Sequence, residues 1–141
     1  MRLEAAAVRG KDLGLGVPLI ERGGHVSLDL PTFFAEMIER HPQAAASDMA
    51  ATAQRALAES VSDAAIGTAE AAGIGVVGFS GGVAYNDAIA QTIRQRVEQA
   101  GLKYITNELV PCGDGGVSLG QVGYAAGRWV SLEADGAETA A

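Results

Sequence analysis

Cysteine occurs once in the 141 residues, at Cys112, which excludes an internal disulfide and any zinc site built from several cysteines. A lone thiol suits a reducing compartment, so a cytoplasmic location is expected. Basic residues are also few: 10 Lys and Arg stand against 17 Asp and Glu, a net charge of -7. Without clustered Lys and Arg there is no footprint for counterion release from a phosphate backbone, which disfavours nucleic acid as a partner. No apolar run approaches the ~20 residues of a membrane span, and the opening MRLEAAAVRGKD lacks the apolar stretch of an export signal. Neither insertion nor export is expected. Aromatics reach only 5%, so the core must be packed from small and aliphatic side chains. The two histidines, His25 and His41, stand apart and do not form a metal-binding pattern.

What is present suffices for one domain: hydrophobic residues make up 48% of the chain. Residues 1–8 are helix-like, and the glycines and proline from Gly10 to Gly24 read as a loop region. His25 to Leu30 alternates like a half-buried strand, and Pro31 opens a helix towards Arg40 that Pro42 ends. A long alanine-rich helix is expected from a cap at Ser47 or Asp48 to Ala72, closed by Gly73. The continuous apolar run Ile74 to Phe79 reads as a central strand covered on both faces. Ile89, Ile93 and Val97 mark the buried stripe of the next helix, Leu102 to Thr106 the next strand, and Gly116 to about Val130 a last helix. The alternation predicts a layered α/β fold with parallel strand pairs and right-handed crossovers, with residues 131–141 as a flexible tail. No internal repeat is evident.

Two glycine-rich turns carry the chemistry. In Phe79-Ser80-Gly81-Gly82-Val83-Ala84-Tyr85-Asn86 a strand meets Ser-Gly-Gly and enters a helix, which presents backbone N–H groups at the positive end of the helix dipole. Gly81 and Gly82 allow an anion to approach the backbone, and Ser80 and Asn86 offer hydrogen bonds to phosphate or ribose. The same spacing also fits a tight turn with no ligand. In Val110-Pro111-Cys112-Gly113-Asp114-Gly115-Gly116 a carboxylate stands at the mouth of a second helix; Asp114 is either a metal ligand or an ordinary helix cap. Cys112 reads as an inert small side chain or a reactive thiol.

Two other patterns compete. Gly73-Ile74-Gly75-Val76-Val77-Gly78 satisfies G-x-G-x-x-G but precedes and enters its strand, whereas a dinucleotide fingerprint follows one. Gly78-Phe79-Ser80-Gly81-Gly82 satisfies the G-x-S-x-G nucleophile elbow, which would make Ser80 a hydrolase nucleophile. That fold needs a histidine downstream, and none follows His41.

The combination Ser80-Gly81-Gly82-Val83-x-x-Asn86 and Val110-Pro111-x-Gly113-Asp114-Gly115-Gly116-Val117-x-Leu119-Gly120-Gln121 resembles the end of the HypF-type carbamoyltransferases, which carry S-G-G-V-x-x-N and V-P-x-N-D-G-G-x-x-L-G-Q. Met1 to Ala7 also looks like an interior segment of that family, so the resemblance covers roughly residues 1–130, the C-terminal portion of a Kae1-like domain. The sequence departs from the pattern at Gly113, where asparagine is commonest, and at Ala53-Gln54, where the family pairs Phe and His.

The resemblance implies the second subdomain of the actin and sugar-kinase (ASKHA) fold, as in the related tRNA threonylcarbamoyltransferases. It implies an ATP-dependent enzyme that makes carbamoyl adenylate from carbamoyl phosphate. The carbamoyl group then passes to a cysteine of a HypE-like acceptor in [NiFe]-hydrogenase maturation. By the same resemblance Ser80, Gly81, Gly82 and Asn86 contact the nucleotide, Gly115 and Gly116 approach its phosphates, and Asp114 ligates the metal, ATP entering with Mg. The family's histidine-rich motif for a divalent metal such as Zn or Fe does not occur in this sequence, so tight binding of that metal is not expected. On this reading the chain alone is inactive and needs the N-terminal half of the domain. The alternatives are a non-catalytic nucleotide-binding or interaction module and, behind it, a serine hydrolase. An apolar face left bare by a missing half would favour self-association.

Overall fold

Alanine has the highest helix propensity of any residue, and the alanine-rich stretch in the middle of the chain forms the helix on which everything else is hung. The computed structural model describes residues 2–138. In chain order the elements are α1 (Arg2–Ala7), β1 (Leu19–Arg22), β2 (His25–Leu28), α2 (Leu30–Arg40), a 3₁₀ turn (His41–Gln43) and α3 (Ala46–Ala71). Then follow β3 (Val76–Phe79), a second 3₁₀ turn (Gly82–Tyr85), α4 (Asp87–Gln99), β4 (Lys103–Thr106) and α5 (Asp114–Glu138).

β3 and β4 pair in parallel, Val76 opposite Lys103 and Phe79 opposite Thr106, with α4 as the crossover. This is the expected parallel pair. β1 and β2 form a separate antiparallel hairpin, Leu19 opposite Leu28 and Arg22 opposite His25. The strand expected at His25 to Leu30 therefore stops at Leu28, and its partner β1 lies in what reads from sequence as loop. Gly23 and Gly24 hold φ of 61° and 80°, the left-handed pair that a two-residue hairpin turn requires.

Two cores flank α3. One gathers Leu15, Val17, Phe33, Met37, Ala53 and Ala56 under α2 and the hairpin; the other gathers Ala58, Ile93 and Val97 against Val77, Phe79, Leu102 and Tyr104. Phe33 and Val97 are fully buried, each contributing about 1.5–3 kcal/mol. The expected stripe Ile89, Ile93, Val97 is the face of α4 that meets the sheet.

The segment between α1 and β1 has no regular structure, so its backbone groups need other partners. One flank of α3 supplies them. Lys11 N donates to Asp48 Oδ1 at 2.7 Å, Leu13 N to the Thr52 hydroxyl at 2.9 Å, Arg55 Nη2 to Leu15 O at 3.0 Å and Ser60 Oγ to Val17 O at 2.7 Å. Arg55 also pairs with Asp12 at 2.7 Å and with Glu59. Burial alone would favour its neutral form, but these two carboxylates outweigh it and raise its pKa. The expected cap is corrected here: Ala45, not Ser47 or Asp48, is the N-cap of α3 and its methyl side chain offers no acceptor, while Asp48 lies in the first turn and accepts from Lys11 N.

The run Ile74 to Phe79 is not covered on both faces. Val77 and Phe79 point into the core, while Val76 on the other face is 39% exposed and Ile105 beside it on β4 is 46% exposed. The apolar run has the composition of a central strand, but among the described residues the sheet has only these two strands, with α3 and α4 packed on it. α5 begins at Asp114 rather than Gly116 and is helical through Glu138; the expected tail extends beyond the described residues.

Candidate functional site

The C-terminal ends of parallel strands are where α/β folds place their ligands, because strand ends and following turns leave backbone groups unpaired there. Ser80 follows β3 and Asn107 follows β4 in register, so the two stand side by side. Ser80 Oγ donates to Asn107 Oδ1 at 2.6 Å and lies 3.4 Å from the Cys112 carbonyl. Gly81 N donates to that same carbonyl at 2.8 Å. Thr106 Oγ1 donates to the Phe79 carbonyl at 2.9 Å. The two glycine-rich turns, more than 25 residues apart in sequence, are thus hydrogen-bonded to one another at one end of the sheet.

Gly81 holds φ of 103°, a backbone conformation closed to most side chains, and this lets the chain turn from β3 towards Cys112. A Cβ at Gly82 would meet nothing within 4 Å, so open space lies before that residue. Gly116 differs, since a Cβ there would come within 2.1 Å of the Pro111 carbonyl oxygen. Its glycine is required by the fold of the turn itself. Gly116 N donates to Gly113 O at 2.9 Å. A Cβ at Gly113 would meet the Tyr85 ring at 2.8 Å, and Gly113 N donates to the Tyr85 hydroxyl at 3.3 Å. Tyr85 fills space that a side chain at position 113 would need.

One expectation is corrected here. Ser-Gly-Gly does not enter a helix directly: the 3₁₀ turn Gly82–Tyr85 intervenes, and α4 starts at Asp87 with Asn86 as its cap. The helix whose first turn adjoins the Ser80 turn is α5, with Asp114, Gly115 and Gly116 as its opening residues. Asp114 and Gly115 are exposed.

Asn86 is oriented by two bonds. Its Oδ1 accepts from Ile89 N at 3.2 Å, and its Nδ2 donates to Gln54 Oε1 at 2.7 Å. Gln54 is 4% exposed, and its Nε2 donates to Leu3 O at 3.3 Å.

Two open spaces adjoin these residues. A cleft of 410 Å³ is lined by Gly78, Phe79, Ser80, Ile105, Thr106 and Asn107. A larger apolar one of 580 Å³ is lined by Gly82, Val83, Tyr85 and Asn86 together with Leu3, Leu57 and Ile89. Asn107 and Tyr85 are the members that sequence reading missed. The register of the parallel pair would have found Asn107, because the residue after each strand shares one edge.

Among the described residues no three His, Cys, Asp or Glu side chains gather as a metal site. Asp114 is one carboxylate, so the donors present do not fit a resident Zn or Fe. The Ser80 hydroxyl is directed at an amide oxygen and a carbonyl, neither of which is a general base, unlike the nucleophile of a hydrolase elbow. No helix among the described residues is long and apolar enough to cross a membrane.

Comparison with known proteins gives this geometry a lineage. The family model described as "Carbamoyltransferase, Kae1-like Domain, second subdomain" matches residues 1–121. The crystal structure of T. kodakarensis HypF superposes with a TM-score of 0.75 at 35% identity, over 93% of this chain and 17% of that one. The probable carbamoyltransferase HypF of Methanocaldococcus jannaschii is 43% identical over 49 residues, 35% of this chain and 6% of the relative. A tRNA N6-adenosine threonylcarbamoyltransferase of Thermosynechococcus vestitus is 33% identical over 86 residues, 61% of this chain and 24% of the relative. The chain therefore spans less than a quarter of the length of these relatives. By its sequence match, its α/β fold with a parallel strand pair and its two linked glycine turns, the chain belongs to the HypF-type carbamoyltransferase family, as the second subdomain of the Kae1-like domain.

Proposed function

We propose that the chain supplies one wall of the nucleotide site of an ATP-dependent carbamoyltransferase acting in [NiFe]-hydrogenase maturation. The observation that carries this reading is the hydrogen-bonded convergence of the two glycine-rich turns, Ser80 on Asn107 and Gly81 on Cys112, at one end of the parallel strands. Ser80, Gly81, Gly82 and Asn86 contact the nucleotide, the open space before Gly82 admitting it without a clash. Gly115 and Gly116, in the first turn of α5, approach the phosphates where the helix dipole favours negative charge. Asp114 faces the Mg that accompanies ATP.

In this reaction carbamoyl phosphate is hydrolysed to carbamate and inorganic phosphate, and a carbamate oxygen attacks the α-phosphorus of ATP, with pyrophosphate leaving, to give carbamoyl adenylate. The thiolate of a cysteine on a HypE-like acceptor attacks its carbonyl carbon, forming a C–S bond as the C–O bond to AMP breaks. The chain's own part is electrostatic: backbone amides and fixed hydrogen bonds hold charge in place, and no covalent nucleophile of this chain is required. The divalent metal of the family would take its ligands outside these residues. The setting is cytoplasmic.

A second reading shares the fold: a module that binds nucleotide or docks to a separate N-terminal half without acting alone. The exposed outer face of β3 and β4, with Val76 and Ile105, favours the need for that half. Both readings predict weak binding of ATP with Mg to the chain by itself. Calorimetric titration of the wild type and of Gly82→Val tests this. Binding that is lost in the variant, with the fold unchanged, supports the reading; binding that the variant leaves intact refutes it.

A further inference from the structure

We infer that Gln54 is a positioning residue for the nucleotide: it fixes which way the Asn86 carboxamide faces. The inference rests on the nucleotide reading above. A primary amide can present oxygen or nitrogen on either side, and only its partners decide. In Asn86 the oxygen is committed to Ile89 N and one N–H to Gln54 Oε1. Gln54 cannot turn over to offer nitrogen instead, because its own Nε2 is held by the Leu3 carbonyl at 3.3 Å. Donation runs in one direction, from the cap of α4 through α3 to α1, and it leaves Asn86 one N–H and one oxygen lone pair. Asn86 borders the 580 Å³ cleft beside Gly82, so a ligand there meets a defined donor.

Stability alone does not call for glutamine at this place. Gln54 is 4% exposed on a helix that buries alanines, Ala50, Ala53 and Ala58 among them, beside the small polar Thr52, Ser60 and Ser62. An apolar residue would be buried there with less desolvation. What glutamine adds is an acceptor aimed at Asn86 and a donor that locks it. Histidine at this position keeps one acceptor and one donor as a neutral imidazole.

The test is calorimetric titration of ATP with Mg into the wild type, Gln54→Leu and Gln54→His at pH 8, where imidazole is neutral. Thermal unfolding and the Asn86 side-chain amide signals in NMR are measured alongside. Gln54→Leu is expected to bind about fivefold or more weakly, with its Asn86 amide signals moved, while Gln54→His stays within about twofold of the wild type. Gln54→Met, of the same length without polar ends, serves where leucine upsets folding. Wild-type affinity in Gln54→Leu or Gln54→Met with unmoved Asn86 signals overturns the inference and leaves the nucleotide reading intact. No binding by the wild type overturns both.

Discussion

Ser80 and Asn86 are both hydrogen-bonded inside the chain before any ligand arrives, Ser80 to Asn107 and Asn86 to Gln54. This is preorganisation at the scale of single side chains: a ligand meets groups whose direction is already set. Asp29 shows the same economy in a structural role. It caps α2 by accepting from Thr32 N at 3.3 Å and from the Thr32 hydroxyl at 2.7 Å, and these bonds, the hydroxyl first, hold its carboxyl below the ordinary 3.8. A depressed carboxylate pKa adds stability above its unfolded value and loses it as pH falls through the folded one. Asp29→Ala is therefore expected to melt below the wild type at pH 7, with the gap closing below about pH 4 as both states take up the proton. A gap that stays constant down to pH 2 would show that the cap is not the cause. The helix start was legible from Pro31, but its cap was not, because Asp29 read as part of the strand expected from His25 to Leu30. The Gln54 relay was not legible either, since nothing in a single sequence says that Gln54 and Asn86, 32 positions apart, touch.

At the scale of elements, helices with one clear apolar stripe were readable, and α4 packs through the three residues its spacing names. The hairpin was not. β1 carries Glu21 and Arg22 among its four residues and follows a glycine-rich loop, so its strand character comes from pairing with β2 rather than from its own pattern. The strap along α3 was equally hidden, because Asp48, Thr52, Arg55 and Ser60 read as an ordinary polar flank until the segment they hold is placed. Two glycines measure the strap and the helix separately. A Cβ at Gly10 would come within 2.0 Å of the Ser47 carbonyl oxygen, so Gly10→Ala must move the strap off α3 and is expected to cost about 1–3 kcal/mol. Gly67 lies inside α3 with nothing within 4 Å of its Cβ position, so Gly67→Ala is expected to add about 0.5–1 kcal/mol. Urea unfolding of the two variants reads both signs; a neutral Gly10→Ala would show that the strap is not held as described.

For the whole molecule, both glycine turns were recognised from sequence, and the structure joins them at one edge; their joining needed the parallel register that only the fold supplies. The apolar run of β3 led to the expectation of a doubly covered strand, which holds for one face alone. Ile74, Val76 and Ile105 remain exposed, as do Val117, Leu119 and Val122 on α5. Apolar surface of this extent predicts that the isolated chain self-associates. Sedimentation velocity across a concentration series should show a rising coefficient, whereas one compact monomer throughout would contradict it. Titration of ATP with Mg into the wild type, Asp114→Ala and Gly82→Val tests whether the chain forms one wall of a nucleotide site. Weak wild-type binding, reduced in both variants while their melting temperatures hold, is the result expected; wild-type binding that neither substitution changes would place the nucleotide away from the two glycine turns.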